Sequence, residues 1–156
     1  MKAASLKQIK DELKHLDRDQ LTQHLLRVAK YKVENKELLT YLLFEADDEE
    51  DYINSCKEEI SLQFQYVNRD SYYFMKKNIR KILRNVKKQI RYSKIKTTEA
   101  ELLLHFCQEL KNIRPRYTGN SVLVNMMEQQ KKMILKACDK IHPDLQYDLL
   151  GELESL

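Results

Sequence analysis

Two glycines (Gly119, Gly151) and two prolines (Pro115, Pro143) are all that this 156-residue sequence contains. A sheet protein needs many residues suited to tight turns, so this scarcity argues against a β architecture. Long apolar runs are also missing: no stretch approaches the ~20 residues that a membrane-spanning helix needs. The opening segment, MKAASLKQIKDELKHL, has charges spread among its apolar residues and so lacks the core of a secretory signal. Cysteine is sparse too. Cys56, Cys107 and Cys138 are odd in number, far apart and never spaced as Cys-x-x-Cys. They read as small core residues in a reducing compartment, not as a disulfide framework. The cytoplasm is the expected location.

What is present is helical periodicity. Hydrophobic residues at 42% and charged residues at 33% make a balance suited to a folded globular chain. Ser5 is placed to cap a first helix that turns Leu6, Ile9 and Leu13 inward. Asp17 and Gln20 match a capping box for a second helix carrying Leu21, Leu25, Val28 and Ala29. A third, short helix is expected over 38–44, with Asn35 as a candidate cap separating it from the second. Asp47 and Asp48 open a fourth, in which Tyr52, Ile53, Cys56, Ile60, Phe64 and Val67 recur at helical spacing. A turn over 68–71 leads to a long fifth helix ending near Ile95.

Thr98 and Glu101 match a capping box for a sixth helix, through Leu102, Leu103, Phe106, Leu110 and Ile113. Residues 114–120 form the one clear loop. Ser121 is the expected cap of a seventh helix, with Val122, Met126, Met133, Ile134, Ala137 and Ile141 on its core face. Pro143 and Asp144 begin a last one. The expected fold is all-α: seven to eight antiparallel amphipathic helices in one domain over residues 1–156. They form either an irregular stack of αα-hairpins, in the manner of a HEAT-like superhelix, or a compact helical bundle. The hairpin blocks differ in length and share no motif, which does not support a strict repeat.

The charge distribution carries the main functional signal. Between Ser71 and Thr98 there are ten Lys or Arg residues and no Asp or Glu, whereas the remaining chain holds 18 basic and 24 acidic residues. At about 100° per residue, Met75, Ile79, Ile82, Leu83, Val86 and Ile90 fall on one arc of the fifth helix. Lys76, Arg80, Arg84, Lys87 and Arg91 fall on another, with Lys77, Lys81 and Lys88 at its edge. Like charges one turn apart repel, so packing of the apolar arc must offset the cost, and an anionic partner would relieve it.

Such a ridge, ~20 Å long, suits the phosphates of a nucleic acid. Tyr73 projects on the same side, where an aromatic ring can stack on an unpaired base. Arg114 and Arg116 add cations in the loop. The alternative is a solvated face, or one answered by the acids of the 45–51 segment, which themselves suit the positive end of a helix.

Catalytic signatures are missing. No Gly-x-Ser-x-Gly elbow, glycine-rich phosphate loop or activated Cys–His pair occurs. His105 has Glu101 and Glu109 four residues to either side, but the Glu-x-x-His spacing of carboxylate-bridged metal bundles is not there, and the trio reads as a surface row. No catalytic residue, metal or cofactor is expected.

The leading expectation is a non-catalytic binding module. Its polyanion-binding residues would be Tyr73, Lys76, Lys77, Arg80, Lys81, Arg84, Lys87, Lys88, Arg91, Arg114 and Arg116, with DNA, RNA or an acidic protein surface as partner. The alternative is a structural or adaptor protein acting through helix-to-helix contacts. The leucine-dense last helix would then either cap the core or mediate homo-oligomerisation.

Overall fold

A computed structural model describes residues 1–156. It is all-α and contains no strand: α1 is Leu6–Leu13, α2 Arg18–Tyr31, α3 Val33–Thr40, α4 Glu49–Gln65, α5 Tyr72–Ser93, α6 Lys96–Asn112, α7 Ser121–Cys138 and α8 Pro143–Glu154. A π-helical turn, Tyr41–Glu45, follows α3, and a 3₁₀ turn, Tyr117–Gly119, precedes α7. No helix is long and apolar enough to cross a membrane. By contact density the chain divides into two compact units, Met1–Phe44 and Glu45–Leu156.

In the first unit Ser5 and Asp17 cap α1 and α2 as the sequence indicates, and Gln8 completes a capping box at Ser5 as well. Gln8 N donates to Ser5 Oγ at 3.3 Å, and Gln20 N donates to Asp17 Oδ1 at 2.8 Å. Lys32 adopts an extended conformation that separates α2 from α3. Asn35 is not the cap. It lies inside α3, and its Nδ2 donates 2.9 Å to the Val28 carbonyl, so it pins the two helices together. The inward apolar faces expected here do not form: α1, α2 and α3 bury no residue. Leu6, Ile9, Leu13, Leu25 and Val28 are all exposed. Helices this short, in so small a unit, enclose too little volume for a core of their own.

The second unit is a bundle organised around α6, which packs against α4, α5, α7 and α8. The reason is in its sequence. Leu102, Leu103 and Leu104 are consecutive and all buried, as are Ala100, Phe106, Cys107 and Leu110. A helix apolar around most of its circumference is stable only with neighbours on several sides. Phe64 of α4 meets Phe106 edge-on, with ring centroids 5.5 Å apart. Met75, Ile79, Ile82, Leu83 and Val86 bring α5 to the same core.

On α7, Met126 and Met127 are buried, whereas Met133 is only half-buried. Leu149 and Leu153 fasten α8 to the core while Leu145 stays exposed. All three cysteines are free and buried.

Two helix starts in this unit differ from the sequence expectation. Thr98 does not cap α6, which begins at Lys96 with Ile95 before it. Its hydroxyl is buried and donates to the Glu49 carboxylate, which also accepts from Ser93 Oγ. Ser121 is the first residue of α7, and Asn120 is the cap, its Oδ1 accepting from Val122 N at 3.1 Å. The α4 start is as expected, with Asp48 accepting from Asp51 N at 3.0 Å.

Candidate functional site

Helix α5 is 22 residues long, about 33 Å at 1.5 Å per residue, and begins where Ser71 Oγ accepts from Phe74 N. Its apolar residues recur at three- and four-residue intervals and are held by α4 and α6. That anchoring fixes the opposite arc. Tyr73, Arg80, Arg84, Lys87 and Arg91 follow one another at intervals of seven, four, three and four, which stacks them in one row along the helix. Lys76 and Lys77 flank the row near its start, and Lys81 and Lys88 lie further round.

Lys77, Arg80, Lys81, Arg84 and Arg91 are exposed, while Lys76, Lys87 and Lys88 are half-buried, consistent with long stems lying over apolar surface beneath charged heads. Tyr73, Lys76, Lys77, Arg80, Leu83, Arg84 and Lys87 line a trough of about 500 Å³ along the helix.

Lys76, Lys77, Arg80, Lys81, Arg84, Lys87 and Arg91 form no ion pair. Ion pairs of the second unit include Lys57–Glu101, Lys96–Glu99, His105–Glu109 and His142–Asp144. The acidic segment before α4 does not neutralise these seven cations. Asp48 is engaged as a cap and Glu49 by the Ser93 and Thr98 hydroxyls at the far end of α5. Seven unneutralised cations on one helix sum to a strong positive potential, which attracts any polyanion and weakens with salt.

Aromatic side chains gather at the start of α5. Tyr73 is 66% exposed and is met edge-on by Phe74, with centroids 5.3 Å apart. Tyr66, at the end of α4, is exposed as well. Tyr72 turns the other way, and its hydroxyl donates 2.8 Å to the Arg116 carbonyl. This bond brings the backbone of the 114–120 loop to the first turn of α5, on the side away from Tyr73, so it does not add Arg116 to the ridge. Arg114 does not extend the site either. Its guanidinium folds back to donate 3.1 Å bonds to the Asn112 and Ile113 carbonyls, satisfying orphan groups at the end of α6.

A second polar cluster was hidden in the sequence. Lys57 and Ser61 lie four apart on α4, and they face Glu101 and His105, also four apart, on α6. Lys57 Nζ reaches Glu101 Oε2 at 2.7 Å; Ser61 Oγ lies 2.8 Å from His105 Nε2 and donates 2.6 Å to Glu109 Oε1. The trio on α6 is therefore no surface row but part of the α4–α6 seam. Helical spacing showed only the α6 trio; Lys57 and Ser61 of α4 came to light through packing.

Burial holds the His105 pKa below its ordinary 6.5, with Lys57 adding to the effect and Glu109 opposing it. Because Ser61 gives its one hydroxyl proton to Glu109, His105 is left to donate to Ser61 rather than accept from it. A nucleophilic serine needs the reverse. No group of three His, Cys, Asp or Glu side chains converges as metal ligands do. Burial also pushes the Cys56 and Cys107 thiols up to about 12, well away from the thiolate form a nucleophile needs.

Comparison of the chain with family models, curated proteins and solved structures returns no match.

Proposed function

We propose that the protein is a non-catalytic binding module in which α5 presents its cationic face to the phosphate backbone of a nucleic acid. The observation that carries this reading is the set of seven cations without carboxylate partners, fixed on one helix whose opposite face is anchored in the core. A rigid row of charges releases counterions from a polyanion when it binds, and each phosphate contact adds to the salt dependence. Arg80, Arg84, Lys87 and Arg91 form the centre of the interface, with Lys76, Lys77, Lys81 and Lys88 around them.

The test is fluorescence anisotropy with labelled DNA and RNA at two or more salt concentrations. Binding is expected to weaken steeply with salt. In the triple variant Arg80→Glu, Arg84→Glu, Lys87→Glu, affinity falls and the log–log salt slope drops by roughly one per lost contact, while the circular dichroism spectrum is retained. Unchanged affinity in that variant overturns the reading.

The exposed apolar side chains of the first unit, among them Leu25, Leu26, Val28 and Phe44, favour a second reading, an adaptor that makes helix-to-helix protein contacts. That reading predicts self-association or protein binding that is insensitive to salt and lost on Leu25→Asp. Sedimentation analysis of the wild type and this variant separates the two readings.

A further inference from the structure

We infer that the strand this face receives is a single, unpaired one, with a base stacked on Tyr73 and the following phosphates running along Arg80, Arg84 and Lys87. The inference rests on the nucleic-acid reading above and specifies its substrate. In a duplex the base faces are turned inward onto one another, so an aromatic ring on a helix surface meets base edges, sugar and phosphate but no stacking face. In a single strand the faces are free, and aromatic platforms beside a cationic groove hold them by stacking.

Tyr73 is built as such a platform. It stands in the row of cations, two helical turns or about 10 Å before Arg80. Tyr73 is 66% exposed, and Phe74 meets it in a T-shaped contact. The trough that begins at Tyr73 has an apolar wall from Leu83 and cationic walls from Lys76, Lys77, Arg80, Arg84 and Lys87, with no amide, hydroxyl-bearing aliphatic or carboxylate side chain among its lining residues. Amides are the usual readers of adenine edges and carboxylates of cytosine, so this lining offers only cationic donors, suited to phosphate or guanine.

The experiment compares a fluorescein-labelled 20-nucleotide single strand with the same strand annealed to its complement. The wild type is expected to favour the single strand. Tyr73→Ala should weaken single-strand binding about 5- to 150-fold and leave duplex binding unchanged, while Tyr73→Phe stays close to wild type.

Because the chain contains no tryptophan, Tyr73→Trp supplies the sole indole, whose fluorescence the single strand should quench and the duplex should not. Equal binding of both forms, with Tyr73→Ala neutral, overturns the stacking inference and leaves the cationic face standing. Preference for the duplex also overturns it. No binding of either form at low salt overturns both this inference and the reading beneath it.

Discussion

The Tyr72 hydroxyl donates a 2.8 Å hydrogen bond to the Arg116 carbonyl, which ties the first turn of the basic helix to the loop before α7. Gly119 lies under the same ring. A methyl group placed there would overlap the hydroxyl and the ring carbon that bears it. Gly119→Ala is therefore expected to displace Tyr72 and lose the bond, costing about 1–2 kcal/mol in urea unfolding. Tyr72→Phe should cost about 1 kcal/mol. Since both changes act on one contact, the double variant should lose less than the two together. A neutral Gly119→Ala would show that the close approach does not hold the loop.

Helix α5 ends on Lys94, the one non-glycine residue with positive φ, at 61°, whose N–H bonds to the Ile90 carbonyl at 2.9 Å. A side chain in this left-handed conformation costs about 1 kcal/mol that glycine does not. Lys94→Gly should therefore raise stability by up to about 1 kcal/mol, read as a higher urea midpoint. A lower midpoint would mean that the lysine side chain contributes more than the strain it imposes.

Protonation of His105 sets a pH dependence. Its folded-state pKa lies below the unfolded value of 6.5, so the folded chain binds fewer protons than the unfolded one. Above that pH the residue adds no penalty, and stability is lost as the pH falls through 6.5 toward the folded pKa. Urea midpoints at pH 7 and pH 5 should differ more for the wild type than for His105→Gln. The groups facing the ring from α4 and α6 are Ser61, Lys57 and Glu109. An identical pH dependence in the variant would place the sensitivity elsewhere.

Thiol reactivity offers a direct check on the packing. Cys56, Cys107 and Cys138 are buried, and burial pushes all three pKa values up. A thiol-specific reagent at pH 8 should label none of them quickly in the native protein and all three in denaturant. Rapid labelling of the folded chain would contradict the core around α6.

The fold class could be read from the sequence because its cause is local. Few glycines and prolines, apolar residues at helical spacing, and the caps at Ser5, Asp17 and Asp48 each act within a few residues. The contiguous cations of α5 could be read for the same reason: helical geometry alone gathers Arg80, Arg84, Lys87 and Arg91 on one side.

Where long-range contacts compete, the local signal failed. Thr98 resembles a cap, yet burial beside Glu49 uses its hydroxyl for another bond. Leu6, Ile9 and Leu13 have the spacing of a core face but are exposed, because periodicity reports which side is apolar and not whether anything covers it.

The sequence by itself thus determined the helices, their approximate order and the sign of one face, all of which depend on residues close in the chain. The tertiary structure alone decided that α6 is the central helix of the second unit, that Ser61 meets His105 across 44 positions, and that the loop of Arg116 closes onto Tyr72. It also decided that seven cations of α5 have no carboxylate within ion-pair distance. Side chains far apart in the chain become neighbours only when apolar burial brings their helices together, and no local pattern encodes which helices those will be.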